Sequence, residues 1–193
     1  DEYQDSNAVQ DAIYSALTGQ RQNCFMVGDV KQSIYQFRLA DPGIFIEKYT
    51  TYVPAEEAQQ GEGRKVMLSH NFRSGGAVLS AVNSVFEACM SPKVGGLWYG
   101  EEEALHVGVP REPLGNPEVE LYGIRGDSDT YGVETAFVAQ RIRQMLDDGT
   151  PVRDKDGFRP VKPEDIVILL RSPGSVGAVF QNALESRGIG CAG

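Results

Sequence analysis

The sequence predicts an α/β fold in which parallel strands are flanked by helices. Three observations carry this: short apolar runs bounded by Gly or acidic residues, amphipathic segments at helical spacing, and the alternation of the two along the chain. Ser6 to Leu17 places Val9, Ile13 and Leu17 on one helical face, with Ser6 or Asn7 suited to cap it and Gly19 to stop it. Cys24-Phe25-Met26-Val27, ended by Gly28-Asp29, reads as a strand buried on both faces. Residues 43 to 52 suit a second helix, and Pro54 to Gly63 is polar and aperiodic, the composition of a linker. Val66-Met67-Leu68 predicts a short strand, followed from Ser74 by a helix carrying Val78, Val82, Val85, Phe86 and Cys89. Residues 91 to 117, rich in Pro and Gly, read as an irregular excursion before an alternating strand at Val119 to Ile124. Glu134 to Leu146 is helical and stops before Gly149 and Pro151, Ile166 to Leu170 has the unbroken apolar run of a central parallel strand, and Val176 to Ser186 is a further helix.

Composition excludes several functions. The 27 Asp+Glu outweigh 18 Lys+Arg for a net charge of −9, so a polycationic nucleic-acid binder is ruled out and any such contact must be a local patch. An apolar content of 41% excludes a disordered or collagenous chain. No run is long and apolar enough for a membrane helix, and nothing at the start reads as a signal peptide, so a cytoplasmic protein with no membrane partner is expected. Cys24, Cys89 and Cys191 show no C-x-x-C spacing, and His70 and His106 form no H-x-x-x-H pair, so neither a disulfide framework nor a metal site is indicated.

Three short constellations can carry chemistry. In Asp1-Glu2-Tyr3-Gln4-Asp5, one of two adjacent carboxylates can hold Mg²⁺ and the next can orient and deprotonate a water; an acidic helix start is the plainer reading. In the run from Val27 to Arg38, Gln32 sits just past a predicted strand end, where its amide can sense a phosphate. Tyr35 and Phe37 with Arg38 beside them offer flat faces and a cation for unpaired bases, unless both rings pack in the core. In Leu68-Ser69-His70-Asn71-Phe72-Arg73-Ser74, the loop Arg73 can neutralise charge on a transferring phosphoryl group, or can simply be exposed.

Taken together, the order and spacing of these three stretches resemble the superfamily 1 helicases related to UvrD, Rep and PcrA. D-E-Y-Q-D looks like their motif II, G-D-V-K-Q-S-I-Y-Q-F-R like motif III, and L-S-H-N-F-R-S like motif IV. Most members carry Gly after the motif III Arg and often Trp before it, whereas here Phe37-Arg38-Leu39 stands, a departure similar to the helicase–nuclease branch of the superfamily. The resemblance implies that Asp1 contributes to Mg²⁺ binding and Glu2 activates the water. Gln32 would sense the γ-phosphate of ATP, Arg73 would be the arginine finger, and Phe72 would lie near the adenine. Tyr35, Phe37 and Arg38 would face single-stranded DNA.

The same resemblance implies parts of two RecA-like domains. Residues 1–55 would end the first, 56–64 would link, and 65–193 would begin the second, with the ATP cleft between the domains. Single- and double-stranded DNA would be the substrates and a second nuclease subunit the partner. No G-x-x-x-x-G-K-[ST] occurs in the 193 residues, and both ends read as cuts through a longer chain. The expectation is a fragment without ATPase activity of its own. A repair helicase without nuclease, or an inactive DNA-binding module, would carry the same three motifs; flanking sequence with a P-loop before and a nuclease site after would separate them.

Overall fold

The computed structural model describes residues 2–19, 23–114, 117–125, 130–155 and 157–191. The chain is α/β, and it gathers into two compact units, Asp1–Arg111 and Glu112–Gly193. The polar stretch 56–64 lies inside the first unit as a series of turns.

In the first unit, a 3-10 turn at Tyr3–Asp5 leads into α1 (Ala8–Thr18). Asn7 caps α1: its Oδ1 accepts from the Val9 and Gln10 N–H groups, both at 3.0 Å, while Gln10 Oε1 accepts from the Asn7 N–H. The apolar stripe Val9, Ile13 and Leu17 is exposed. Asp41 caps α2 (Pro42–Thr51), where Pro42 occupies the first turn without leaving a donor unpaired. Two short parallel pairings follow. β1 (Val53–Pro54) lies beside β2 (Arg64–Lys65), and β3 (His70–Asn71) lies beside β4 (His106–Val107), the latter pair spanned by α3 (Gly76–Cys89). Asn83 on α3 fastens the irregular excursion, donating to the Leu105 carbonyl and accepting from the Leu105 N–H and the Tyr99 hydroxyl.

In the second unit, α4 (Thr130–Asp147) packs on α5 (Pro173–Glu185) around Ala139, Ile142, Leu184 and Ile189. Ile166 and Ile168 pack on this core. The antiparallel hairpin β5 (Pro151–Asp154) and β6 (Gly157–Pro160) was not expected from the sequence. Arg159 pins it, bonding Asp154 at 2.8 Å and Asp165 through two contacts at 2.6 and 2.7 Å.

The five helices lie where apolar spacing places them, but the four expected strands do not form. Cys24–Val27, Val66–Leu68, Val119–Ile124 and Ile166–Leu170 join no ladder among the described residues. A strand is completed by the neighbour that takes its hydrogen bonds, and none flanks these segments. Residues 24–29 and 66–69 border a groove of about 1010 Å³ in the first unit, and the side chains meant for a sheet interior face outward. Phe25 is 88% exposed, Leu121 98% and Leu169 90%. Among the described residues, no helix is long and apolar enough to cross a membrane.

Candidate active site

The D-E-Y-Q-D stretch folds as a tight turn because its backbone and one side chain both find partners in the segment before Asp29. The Tyr3 N–H donates to the Val27 carbonyl at 2.9 Å. Gln4 is wholly buried, its Oε1 accepting from the Asp29 N–H at 3.0 Å and its Nε2 donating to Glu2 Oε2 at 2.6 Å. The same Nε2 lies 3.4 Å from Asp5 Oδ2. Gly28 makes this approach possible, since a Cβ there would meet Gln4 Oε1 at 2.7 Å and the Gln4 nitrogen at 3.1 Å. Asp1 lies outside the described residues. Glu2 is exposed and sits in the left-handed region at φ 59°, a conformation that costs a non-glycine residue about 1 kcal/mol or more.

Tyr3 anchors the turn from below. Its hydroxyl donates to Asp11 on α1, and Asp11 pairs with Lys48 of α2 at 2.9 Å. Burial pushes the Tyr3 hydroxyl well above the usual tyrosine range, with the Asp11 carboxylate adding to the effect. The Tyr3 hydroxyl, then Lys48, holds the Asp11 carboxyl below its ordinary value.

Asp29 organises the next segment. One carboxylate oxygen accepts from the Lys31 N–H at 3.0 Å and pairs with its ammonium at 2.9 Å; the other accepts from Gln32 Nε2 at 3.0 Å. Beyond the turn, Tyr35 and Phe37 place their ring centroids 6.0 Å apart, and the Arg38 guanidinium lies 5.3 and 5.5 Å from the two rings. Phe37 is 76% exposed, so the core-packing reading of this ring does not hold. Leu39 follows at φ 67°.

The third stretch is a loop braced on both sides of Arg73. Asn71 Oδ1 accepts from the Arg73 and Ser74 N–H groups at 2.9 and 2.8 Å, and Arg111 donates to the Phe72 carbonyl at 2.9 Å. The Phe72 ring lies over Gly108, where a Cβ would meet it at 2.7 Å. The Arg73 side chain is exposed and makes no hydrogen bond among the described residues.

Thus Glu2 and Gln32 are joined through Gln4 and Asp29, Tyr35 and Phe37 are joined through Arg38, and Arg73 stands on its own braced loop. Sequence reasoning missed Gln4, Asp29, Gly28 and Gly108. Each acts through a contact distant in sequence, and the Gly-Asp pair after an apolar run was the one local signal. Among the described residues, no group of three or more His, Cys, Asp or Glu is placed to hold a metal. Glu2 and Asp5 nevertheless converge on a single amide, and Asp5 Oδ1 is buried with no hydrogen-bond partner. Such hard oxygen donors suit Mg²⁺, which keeps several of its own waters and needs few protein ligands.

The class these motifs define is that of the UvrD/REP helicases: residues 1–53 match the UvrD/REP helicase N-terminal domain. Along nearly its whole length the chain is similar to AddA, the larger-named component of the ATP-dependent helicase/nuclease of several bacteria. It is 38% identical to that of Alkaliphilus oremlandii over 98% of this chain and 16% of that protein. For Clostridium novyi the identity is 39%, over 96% and 17%, and for Bacillus anthracis 41%, over 89% and 15%. The chain therefore spans about a sixth of the length of these relatives.

Proposed function

We propose that these residues are part of an AddA-like, ATP-dependent DNA helicase and nuclease subunit. It would couple ATP hydrolysis to movement along single-stranded DNA and to duplex unwinding in double-strand break repair and recombination, beside an AddB-like second nuclease subunit. The observation that carries this reading is the exposed Tyr35–Arg38–Phe37 cluster, which follows within a few residues the Gln32 amide held on Asp29. Flat faces with a cation between them bind bases of any sequence, which a translocating protein requires and a net charge of −9 does not prevent.

On this reading Glu2 orients and deprotonates the attacking water, Gln32 senses the γ-phosphate, Phe72 lies near the adenine, and Arg73 meets the charge that develops on the transferred phosphoryl group. Mg²⁺ would be held through Asp1, with the Glu2 and Asp5 carboxylates nearby, and would neutralise phosphate charge. Residues 1–55 would close one RecA-like domain, 56–64 would link, and 65–193 would open the next.

The test is made in the full-length polypeptide. Arg73→Ala should lower kcat by roughly 10² or more and leave ATP affinity within about tenfold, because the charge Arg73 meets appears mainly in the transition state. ATPase rates near those of the unaltered protein would refute the assignment. Phe37→Ala should weaken single-strand affinity by about 1 to 3 kcal/mol. Because the ring is exposed, thermal stability should change by no more than about 0.5 kcal/mol.

A further inference from the structure

Gln4 is the one side chain that touches both the acidic turn and the segment leading to Gln32. Its amide has two ends with opposite requirements. The Nε2 faces two carboxylates, Glu2 at 2.6 Å and Asp5 at 3.4 Å, while Oε1 faces the Asp29 N–H at 3.0 Å. Turning the amide over would set its oxygen against both carboxylates and its NH₂ against a donor, so the network fixes one orientation. Full burial removes water as an alternative partner. Leucine would fill the space but orphan the Asp29 N–H and release Glu2; glutamate would keep the acceptor and add a third carboxylate beside Glu2 and Asp5. From Asp29 the connection continues, since its carboxylate holds the Gln32 amide at 3.0 Å and Lys31 at 2.9 Å.

We propose that Gln4 is a positioning residue that ties the Glu2 carboxylate to the Asp29–Gln32 turn, so that the group acting on the water and the group facing the γ-phosphate shift together. This rests on the ATPase reading above. Gln4 does not itself meet the reacting atoms.

Four variants of the full-length polypeptide test it through DNA-stimulated ATP hydrolysis: Gln4→Leu, Gln4→Glu, Gln32→Ala and Glu2→Gln. Gln4→Leu should lower kcat roughly 10- to 100-fold, the usual cost of losing a residue that orients a catalytic group, with KM for ATP within about threefold. Adding Gln32→Ala to Gln4→Leu should cost little more, because both act through one network. Independent, multiplying losses would overturn the proposal. Gln4→Glu has the same shape and decides the matter if the leucine variant does not fold. Beside Glu2 and Asp5 the new carboxyl is hard to ionise, and its protonated form restores a donor to Glu2. Its kcat relative to the unaltered protein should therefore rise as pH is lowered from about 8 to about 6; a constant ratio overturns the proposal. Glu2→Gln separates the two levels. If it leaves hydrolysis intact, the ATPase reading fails. If it abolishes hydrolysis while Gln4→Leu is near normal, the positioning role alone fails.

Discussion

Leu39 holds a left-handed backbone at φ 67° although its side chain is 83% exposed and packs little to compensate. The superfamily resemblance implies glycine at this position, where the conformation costs nothing. Leu39→Gly should therefore raise stability by up to about 1 kcal/mol, visible as a Tm increase of a few degrees, since relief of the backbone penalty outweighs the added freedom of the unfolded chain. The opposite is expected at Gly28. A methyl group there meets the buried Gln4 amide at 2.7 Å and the Phe45 ring at 3.2 Å, so Gly28→Ala should cost about 1 to 3 kcal/mol by overpacking. Equal Tm values for the two variants would contradict both arguments. The penalty at Glu2 differs in kind, because its φ of 59° aims a carboxylate that Gln4 then holds.

Among the elements, α4 has an electrostatic brace at its middle. Arg141 grips Glu120 with two hydrogen bonds, at 2.9 and 2.6 Å, and the Tyr122 hydroxyl donates to the same carboxylate at 2.7 Å. The Arg141 contact, seconded by Tyr122, holds the Glu120 carboxyl down to about 2, against an ordinary 4.5. A carboxyl depressed by folding stabilises at pH values above its unfolded value, and that contribution disappears as pH falls through the folded one. The brace should thus be intact above about pH 4.5 and lost toward pH 2. An NMR titration of Glu120 should show the low midpoint and its return toward 4.5 in Arg141→Leu; a midpoint unmoved by that change would refute the assignment. The elements also show what the sequence makes legible. Helices were readable because α1 to α5 each carry their apolar spacing and stop signals within the segment. Strands were not, because Ile166–Leu170 needs a neighbour that its own residues cannot specify, whereas β5 and β6 pair across a turn closed by Gly157 at φ 128°. At the site, residue types with their own chemistry stood out, while Gln4 has a role only through burial and through partners 2 and 25 positions away.

At the scale of the whole molecule, the 193 residues present extended segments with unpaired backbone and apolar side chains. Val167 at 75% exposure and Leu169 at 90% lie on one side of such a segment, while Ile166 and Ile168 turn to the core. Unpaired edges of this kind invite pairing with another chain. A net charge of −9 opposes association in general but puts no charge within this segment. The chain on its own should self-associate as concentration rises. Val167→Lys with Leu169→Lys should shift it toward monomer in light scattering without loss of helix content, because neither side chain contributes to the α4–α5 core. Equal association of the double variant and the unaltered chain would place the contact elsewhere.

The loop around Arg73 is held by the Asn71 side chain and by Arg111 on the Phe72 carbonyl, while the Arg73 side chain takes no part in holding it. Position 73 therefore offers a fixed mounting point for a spectroscopic reporter. With the exposed Cys24, Cys89 and Cys191 replaced, a nitroxide attached through Arg73→Cys would move with its own tether but not with its base. Distances measured from it by pulsed electron paramagnetic resonance would then follow displacements of the surrounding protein during a catalytic cycle, free of blur from the loop that carries the label.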